Sequence, residues 1–590
     1  MFPAQEGAAE EAKAVLTEYL TAEPMLEPRV YIASDRKAHI SMMRRLSGMP
    51  DPNLYNSWIR SCAAEHKKCG PIVAKPLPTR LIDIGKSSHE DPRLVETAGQ
   101  SGVYVTLSHC WGGWRGLVTD DSNYQSHLQG IPLSSMPKTF RDAVEIVRVL
   151  GFQYLWIDSL CIIQGNASDW EREGGRMCSV YENSCLTIAG PDASNPEGGL
   201  LHPRSPSPYH SVDLLESKDG ARISLISLLP DCKHPPPADR PLSGTVLGER
   251  AWCLQERLLS PRVLYFFRFF LYLECQEHDF SELSWQWLHP YPFYNMIPKT
   301  QFYAGDLDSA AGDPDETILE EHDARQDSLS GRTKAMQEAW WRLVENYSCR
   351  QLSYQNDKLS AIQGLAQYFF DRHKDLYLAG IWRSDLLNHL SWFRCIRKDT
   401  RSNIISEYRA PSWSWAAVDG EVNFHSYFFR CKKLEGENLY LYATVIAAET
   451  QLASKESFGR VVAGSLTLRT PIQRFHIQSQ RMLRHLNTGD SMVVGVWVWN
   501  EQLKEKILVA NLLPDREDFF SLVTDAGLDM ECALLWQNKG NAWCALAVEV
   551  VGGDHDSYRR VGFLHSLNVW EGEYPAVNWA DAIEREILIV

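Results

Sequence analysis

Three short segments concentrate the side chains of this chain that are able to do chemistry. Residues 103–113 (VYVTLSHCWGG) bring Ser108, His109, Cys110 and Trp111 to the end of an apolar run. Residues 151–164 (GFQYLWIDSLCIIQ) do the same for Asp158, Cys161 and Gln164, and residues 250–262 (RAWCLQERLLSPR) for Trp252, Gln255, Glu256 and Arg257. In open parallel sheets ligands sit outside the carboxyl ends of the strands, so polar clusters at consecutive strand ends project toward one crevice. Such a crevice, with carboxylates, an amide, an imidazole and indoles, suits binding of a polar ligand and stabilisation of charge developing on it. Glu256 and Arg257 carry a second explanation of equal weight: buried charges that pair elsewhere simply lock a fold.

Several chemistries are disfavoured. Neighbouring strand residues point to opposite faces, so His109 is badly placed to act as base for Ser108 or Cys110, and no G-x-S-x-G elbow surrounds Ser108. Gly112-Gly113 reads as a tight turn beside Trp111, because neither G-x-G-x-x-G nor G-x-x-x-x-G-K-[ST] occurs in the chain. H-E-x-x-H and EF-hand loops are missing too. Cys62, His66 and Cys69 (CAAEHKKC) have a C-x3-H-x2-C spacing that places three ligands within a turn or two of helix. Zinc takes four, and no fourth is identifiable nearby, although Cys275 or another distant cysteine can complete the set. Reduced thiols packing a helix are the preferred reading, and no metal site is expected. Trp413 and Trp415 fall two apart in APSWSWAA, on one face of an extended strand, where packing between domains is preferred to stacking on a ligand.

The elements that would position the three segments follow from periodicity. Residues 77–85 alternate and open the sheet region, and residues 103–108 form a buried strand. Residues 139–150 carry Phe140, Ala143, Val144, Val147 and Leu150 at helical spacing, with Gly151 as the C-terminal stop. Residues 152–157 are the next strand. Asp169 caps a further helix, with Glu171 and Glu173 in its first turn and Trp170, Gly174, Met177, Cys178 and Tyr181 on one face. Residues 185–189 close the series as a third strand. Strand–helix–strand–helix–strand at this spacing predicts crossover units and a parallel sheet. The apolar run 263–273 (VLYFFRFFLYL), with Arg268 inside it, is too short to cross a bilayer and reads as one buried strand. Residues 195–241 read as a loop, 304–327 as an acidic disordered insertion, 331–389 as helical, and the region beyond residue 439 as strands.

At 590 residues the chain needs two to four domains by size. Its net charge of −16 argues against a general nucleic-acid surface. The acidic start lacks the basic and apolar stretches of a signal peptide, and 14 scattered cysteines do not form a disulfide framework, so a reduced, cytoplasmic protein without a transmembrane segment is expected.

The order strand–SHCWG, helix, YLWIDSLCIIQ, helix with Asp169-Trp170, Tyr181 and LTIAG resembles the fungal heterokaryon-incompatibility (HET) domain. PTRLIDIG before it, and DKLSAIQG, YLAGIW, PSWSWA and YRRVGF after it, look like the regions that flank this domain in its family. The resemblance implies an α/β fold: a parallel-sheet HET core similar to flavodoxin-like Toll/interleukin-1-receptor (TIR) domains, with helical flanks and a β-rich C-terminal domain. The implied divisions are a helical lead-in over residues 1–99, the HET domain over 100–290, an acidic insertion over 291–330, a helical middle over 331–430 and the β-rich end over 431–590. It implies a cytoplasmic cell-death effector of non-self recognition that associates with other incompatibility or signalling proteins or with itself. The alternatives are a TIR-like enzyme that cleaves NAD as substrate, and a degenerate member acting only as a binding protein. For the enzyme, Glu256 then Asp158 would be catalytic, with Glu171 third because its helix-stabilising role already explains it. Ser108, His109, Trp111, Gln164, Trp252, Gln255 and Arg257 would bind the ligand, and no certain cofactor is implied.

Overall fold

The computed structural model describes residues 48–87, 90–204, 245–268, 270–282, 299, 302, 326–396, 407–424 and, with gaps, 439–590, together with the backbone of 209–216 and 222–228. The chain divides into two compact units, residues 1–249 with 256–304 and residues 250–255 with 305–590.

In the first unit, helix α1 (Pro52–Glu65) starts where a sequence start signal stands. Asp51 accepts from the Asn53 N–H at 2.9 Å and Pro52 occupies the first helical position. An eight-stranded sheet follows, built from β1 (Arg80–Asp83), β2 (Arg93–Glu96), β3 (Tyr104–Ser108), β4 (Tyr154–Trp156), β5 (Leu186–Ala189), β6 (Arg262–Phe266), β7 (Leu271–Cys275) and β8 (Asp279–Ser281). Its spatial order is β8-β7-β6-β5-β3-β4-β1-β2. The four central strands β6, β5, β3 and β4 run parallel, while β1 and β2 at one side and β7 and β8 at the other run antiparallel. The sheet is therefore mixed, with the predicted parallel core inside it. Helix α2 (Lys138–Val149) carries the chain from β3 to β4, and α3 (Ala167–Asn183) carries it back past β3 to β5. Right-handed crossovers put helices that progress in opposite directions on opposite faces, so both sides of β3 are covered. All five of its residues are buried.

Several expectations are corrected here. β1 does not alternate: all four residues are buried, as a strand covered on both faces requires. The run 263–273 is two strands, since β6 and β7 pair antiparallel around a turn in which the Phe267 and Phe270 rings stack at 4.5 Å. Inside the stretch read as a loop, residues Tyr209–Glu216 and Arg222–Leu228 pair as an antiparallel hairpin. Asp169 is not the cap of α3. Asn166 is, accepting from the Asp169 N–H at 3.1 Å, and Asp169 sits in the first turn. Gly174, Met177 and Tyr181 are buried on that helix as expected, but Trp170 is 41% exposed. α2 buries Phe140, Ala143, Val144 and Val147, and Gly151 follows its end at φ +78°. The acidic insertion over 304–327 lies almost entirely outside the described residues, as does the lead-in before residue 48.

The second unit joins helices α5 (Gln326–Ser348) and α6 (Gln363–His373) to a nine-stranded sheet. Trp340, Trp382, Trp392, Trp413 and Trp415 are all fully buried within it. The tryptophan pair of the SWSW segment does not lie on a strand. Trp415 opens a short 3-10 turn (Trp415–Ala417), and its indole N–H donates to Gly380 O at 2.8 Å. Strands Val461–Leu486, Leu528–Asn538, Trp543–Val550, Ser557–Ser566, Glu505–Pro514 and Gly489–Asn500 pair antiparallel in that order, and the last returns to the first. The pairings thus close a ring of six strands, which removes exposed edges. Alternating residues such as Phe475 and Ile477, Val494 and Val496, and Trp543, Ala545 and Ala547 form one buried cluster. Among the described residues no helix is long and apolar enough to cross a membrane.

Candidate functional site

β3 and β4 end side by side, and their last residues hand the chain to two polar turns. Along β3 the alternation of side chains decides which face each residue serves. Tyr104, Thr106 and Ser108 share one face: the Tyr104 hydroxyl donates to Val180 O of α3 at 2.6 Å, and Thr106 Oγ1 lies 2.6 Å from Thr187 Oγ1. On that face the Ser108 hydroxyl donates to a carboxylate oxygen of Glu256, on helix α4 (Trp252–Leu259). His109 is turned away from it. Its ring meets Phe140 of α2 edge-on at 5.1 Å and stacks with Trp111 at 6.4 Å, and both Ser108 and His109 are buried. Ser108 and His109 accordingly serve different partners, and no serine–histidine dyad forms.

Asp158 begins the short helix (Asp158–Cys161) after β4. Its Oδ2 accepts from the Trp111 indole N–H at 2.7 Å, its Oδ1 accepts from the Ser159 N–H at 2.7 Å, and His109 Nδ1 lies 3.7 Å away. The Asp158 side chain stays 25% exposed, the open carboxylate of the group, whereas Glu256 is 7% exposed. The turn between Trp111 and Trp114 depends on Gly112 at φ +55°, where an added Cβ would stand 1.9 Å from Ser194 O. The sequence reading of Gly112 as a tight-turn residue thus agrees with its backbone.

The other nominated residues scatter. Gln164 stays local: its side-chain amide donates to Ile162 O at 2.9 Å and Asp158 O at 3.3 Å. Arg257, one residue past Glu256 and about 100° further round the helix, forms a buried pair with Glu274, Nε to Oε2 at 2.9 Å. Burial by itself would raise the Glu274 carboxyl, but the Arg257 guanidinium, with Lys299 and the Tyr265 hydroxyl, outweighs it and holds that group below its ordinary range. Lys299 closes this network by donating to Arg257 O at 2.7 Å, and burial lowers its ammonium to about 8. For Arg257 the fold-locking explanation accounts for every contact described. Trp252 and Gln255, three apart on α4, belong with the second unit. Gln255 Oε1 accepts from the Gly364 N–H at 3.2 Å, and Trp252 hydrogen-bonds Asp357. Glu171 is exposed on α3. Glu173 is buried instead, in a network where Arg80 donates to Asp169 at 2.5 Å and to Cys161 O at 2.7 Å. A pocket of about 210 Å³ lined by Leu77, Thr79, Glu173, Arg176 and Asn183 contains none of the nominated strand-end residues.

A second cluster forms away from these residues. Cys275, at the end of β7, meets Cys62, His66 and Cys69, and the four ligand atoms all lie within 4.8 Å of one another. The fourth ligand that the C-x3-H-x2-C spacing lacked is thus supplied from more than 200 residues downstream. Sequence reasoning missed Arg262, which stands against this cluster; an arginine opening an otherwise apolar strand was its signal.

Neither curated proteins nor solved structures yielded a match to this chain. A family model described as "Heterokaryon incompatibility protein (HET)" matches residues 104–256. That span begins on the first residue of β3 and ends on Glu256, enclosing the β3–α2–β4–α3–β5 series and both halves of the Ser108–Glu256 pair. The chain therefore contains a region, residues 104–256, that matches the heterokaryon-incompatibility (HET) domain.

Proposed function

We propose that this protein is a cell-death effector of fungal non-self recognition, acting through association with itself or with other incompatibility proteins. The observation that carries the reading is the coincidence of the matched span with the strand-end cluster: the HET match closes on the glutamate that Ser108 holds at the end of β3. Association is favoured over chemistry by how that cluster is built. Glu256 is almost wholly buried and bonded, His109 is packed between rings, and of the two carboxylates only Asp158 keeps substantial exposure.

A second reading, cleavage of the nicotinamide–ribose bond of NAD by a TIR-like site, draws on one further observation. The parallel strands stand in the order β4-β3-β5-β6, with the order of strand addition reversing at β3, and this supports a flavodoxin-like reading. Ligands of such sheets lie at that switch point, and a carboxylate there can stabilise an oxocarbenium-like ribosyl. Glu256 and Asp158 would be those carboxylates. The full chain expressed from an inducible promoter in yeast separates the readings. Death with NAD unchanged supports association, whereas NAD loss that precedes death replaces it with the hydrolase. Undiminished viability at confirmed abundance would sink both.

A further inference from the structure

We infer that Cys62, His66, Cys69 and Cys275 form a structural zinc site that staples helix α1 to the end of strand β7. Local structure prepares three of the ligands. Cys62 lies in the last turn of α1 and His66 caps that helix, its backbone N–H bonding Cys62 O at 3.2 Å, so the two side chains share a face. The chain then turns back through Gly70, at φ +64°, whose N–H bonds His66 O at 3.1 Å, and this brings Cys69 alongside. The fourth ligand arrives on β7, where Cys275 pairs with Arg262 of β6. His66 Nδ1 stands 3.2 Å from Cys275 Sγ. Tetrahedral zinc with bonds of about 2.0–2.3 Å sets its ligand atoms roughly 3.5–3.8 Å apart, the spacing of a cluster whose members all lie within 4.8 Å.

Charge argues for a metal over packed thiols. Arg262 is 1% exposed, and among the described residues no ion pair supplies it with a carboxylate. Its guanidinium is aimed at the cluster instead: Nε donates to Cys62 Sγ at 3.1 Å, and its other nitrogens reach Cys69 O and Cys185 O at 3.4 and 3.3 Å and Gly70 O. Three neutral thiols would leave this buried cation without a countercharge, which is costly. Three thiolates around a dication carry one net negative charge, and the arginine cancels it. The His278 backbone N–H donates to Cys275 Sγ at 3.2 Å, so two of the three sulfurs receive the hydrogen bonds that support a ligating thiolate. Cys62 and Cys275 are fully buried and Cys69 nearly so, giving a closed site without an open position for substrate. Three soft thiolates and an imidazole in a closed tetrahedral set select zinc, in a structural role. Each ligand gives up its proton or lone pair on binding, so loading releases thiol protons.

All four ligands fall outside the HET match at residues 104–256, before it and after it. The metal would therefore fasten the segments that flank the domain, whatever the strand-end residues do. Elemental analysis of the purified full-length chain, kept reduced, is expected to find about one zinc per chain. Exchange with cobalt should give the visible d–d and sulfur-to-metal charge-transfer bands of a tetrahedral thiolate site. His66→Gln changes the one part-exposed ligand and should lose zinc to a chelator faster than wild type, whereas Cys349→Ser, an exposed cysteine outside the cluster, should retain it. A chain that stays metal-free after reconstitution and gives no cobalt bands would overturn the site. So would a mapped disulfide among Cys62, Cys69 and Cys275 in the native protein, or equal zinc retention by wild type and His66→Gln.

Discussion

Ser108 and Glu256 are 148 positions apart and still meet, while Glu256 and Arg257 are adjacent and part company. A helix explains both facts. Successive residues step about 100° round its axis, so the adjacent Glu256 and Arg257 point well apart and meet different partners. The polar texture of WCLQER was legible in the sequence, but texture does not say which of six contiguous side chains converge. The alternation along β3 was legible and correctly separated Ser108 from His109. Of the two readings that the sequence left open for Arg257, the buried pair with Glu274 gives the fold-locking one a named partner. Arg257→Ala leaves that carboxylate buried without its partner, so a loss of about 3–5 kcal/mol is expected in denaturant unfolding. A loss below about 1 kcal/mol, the range of exposed pairs, would mean that Glu274 finds water or another cation.

Among the elements, those with strong local signals were the legible ones: α2 with its apolar stripe and terminal glycine, and the short apolar strands β3, β4 and β5. The β6–β7 hairpin was not, because its turn is made by phenylalanines and Arg268 where glycine, proline or asparagine would announce one. The turn after β3 did announce itself. Gly112→Ala imposes a positive φ on alanine and drives its Cβ against Ser194 O, so the turn carrying Trp111 must move. The expected result is a thermal destabilisation, with altered fluorescence of Trp111 and Trp114, and an unchanged melting curve would contradict it. In the second unit the short helix Leu386–His389 joins two titrating groups 3.9 Å apart. Burial raises the Asp385 carboxyl to about 7 and lowers the His389 imidazole to about 3. Asp385 thus holds its proton to higher pH when folded than when unfolded, and its contribution to stability is lost as pH rises from about 4 through 7. His389 acts oppositely: it favours the fold above about 6.5, and that contribution fades as pH falls toward 3. The two slopes offset each other between about 4 and 6.5. Asp385→Asn removes one of them, so the stability of the variant relative to wild type should climb between pH 4 and 7. Parallel unfolding curves for the two proteins across that range would contradict the assignment.

For the whole molecule, family resemblance and periodicity delivered the α/β core and the β-rich end, and long-range pairing was where they ran out. Nothing local in residues 461–564 signals that six strands close into a ring, since closure is a property of which strands meet. Cys275 was noticed only as one distant cysteine among several, and the fold singles it out. The same limit explains the strand-end cluster, whose members were individually conspicuous and whose grouping needed β3, β4 and α4 in place. The proposed function places the working part of the HET domain at that cluster, and Glu256 is the member whose charge can be removed with least change of shape. Glu256→Gln keeps the size of the side chain and an oxygen to accept from Ser108, and removes the charge. The most direct test is therefore yeast viability after induced expression of the full chain, wild type against Glu256→Gln at matched abundance and matched melting temperature. Wild type should kill and the variant should not. Equal killing by the two proteins would contradict a working role for this carboxylate.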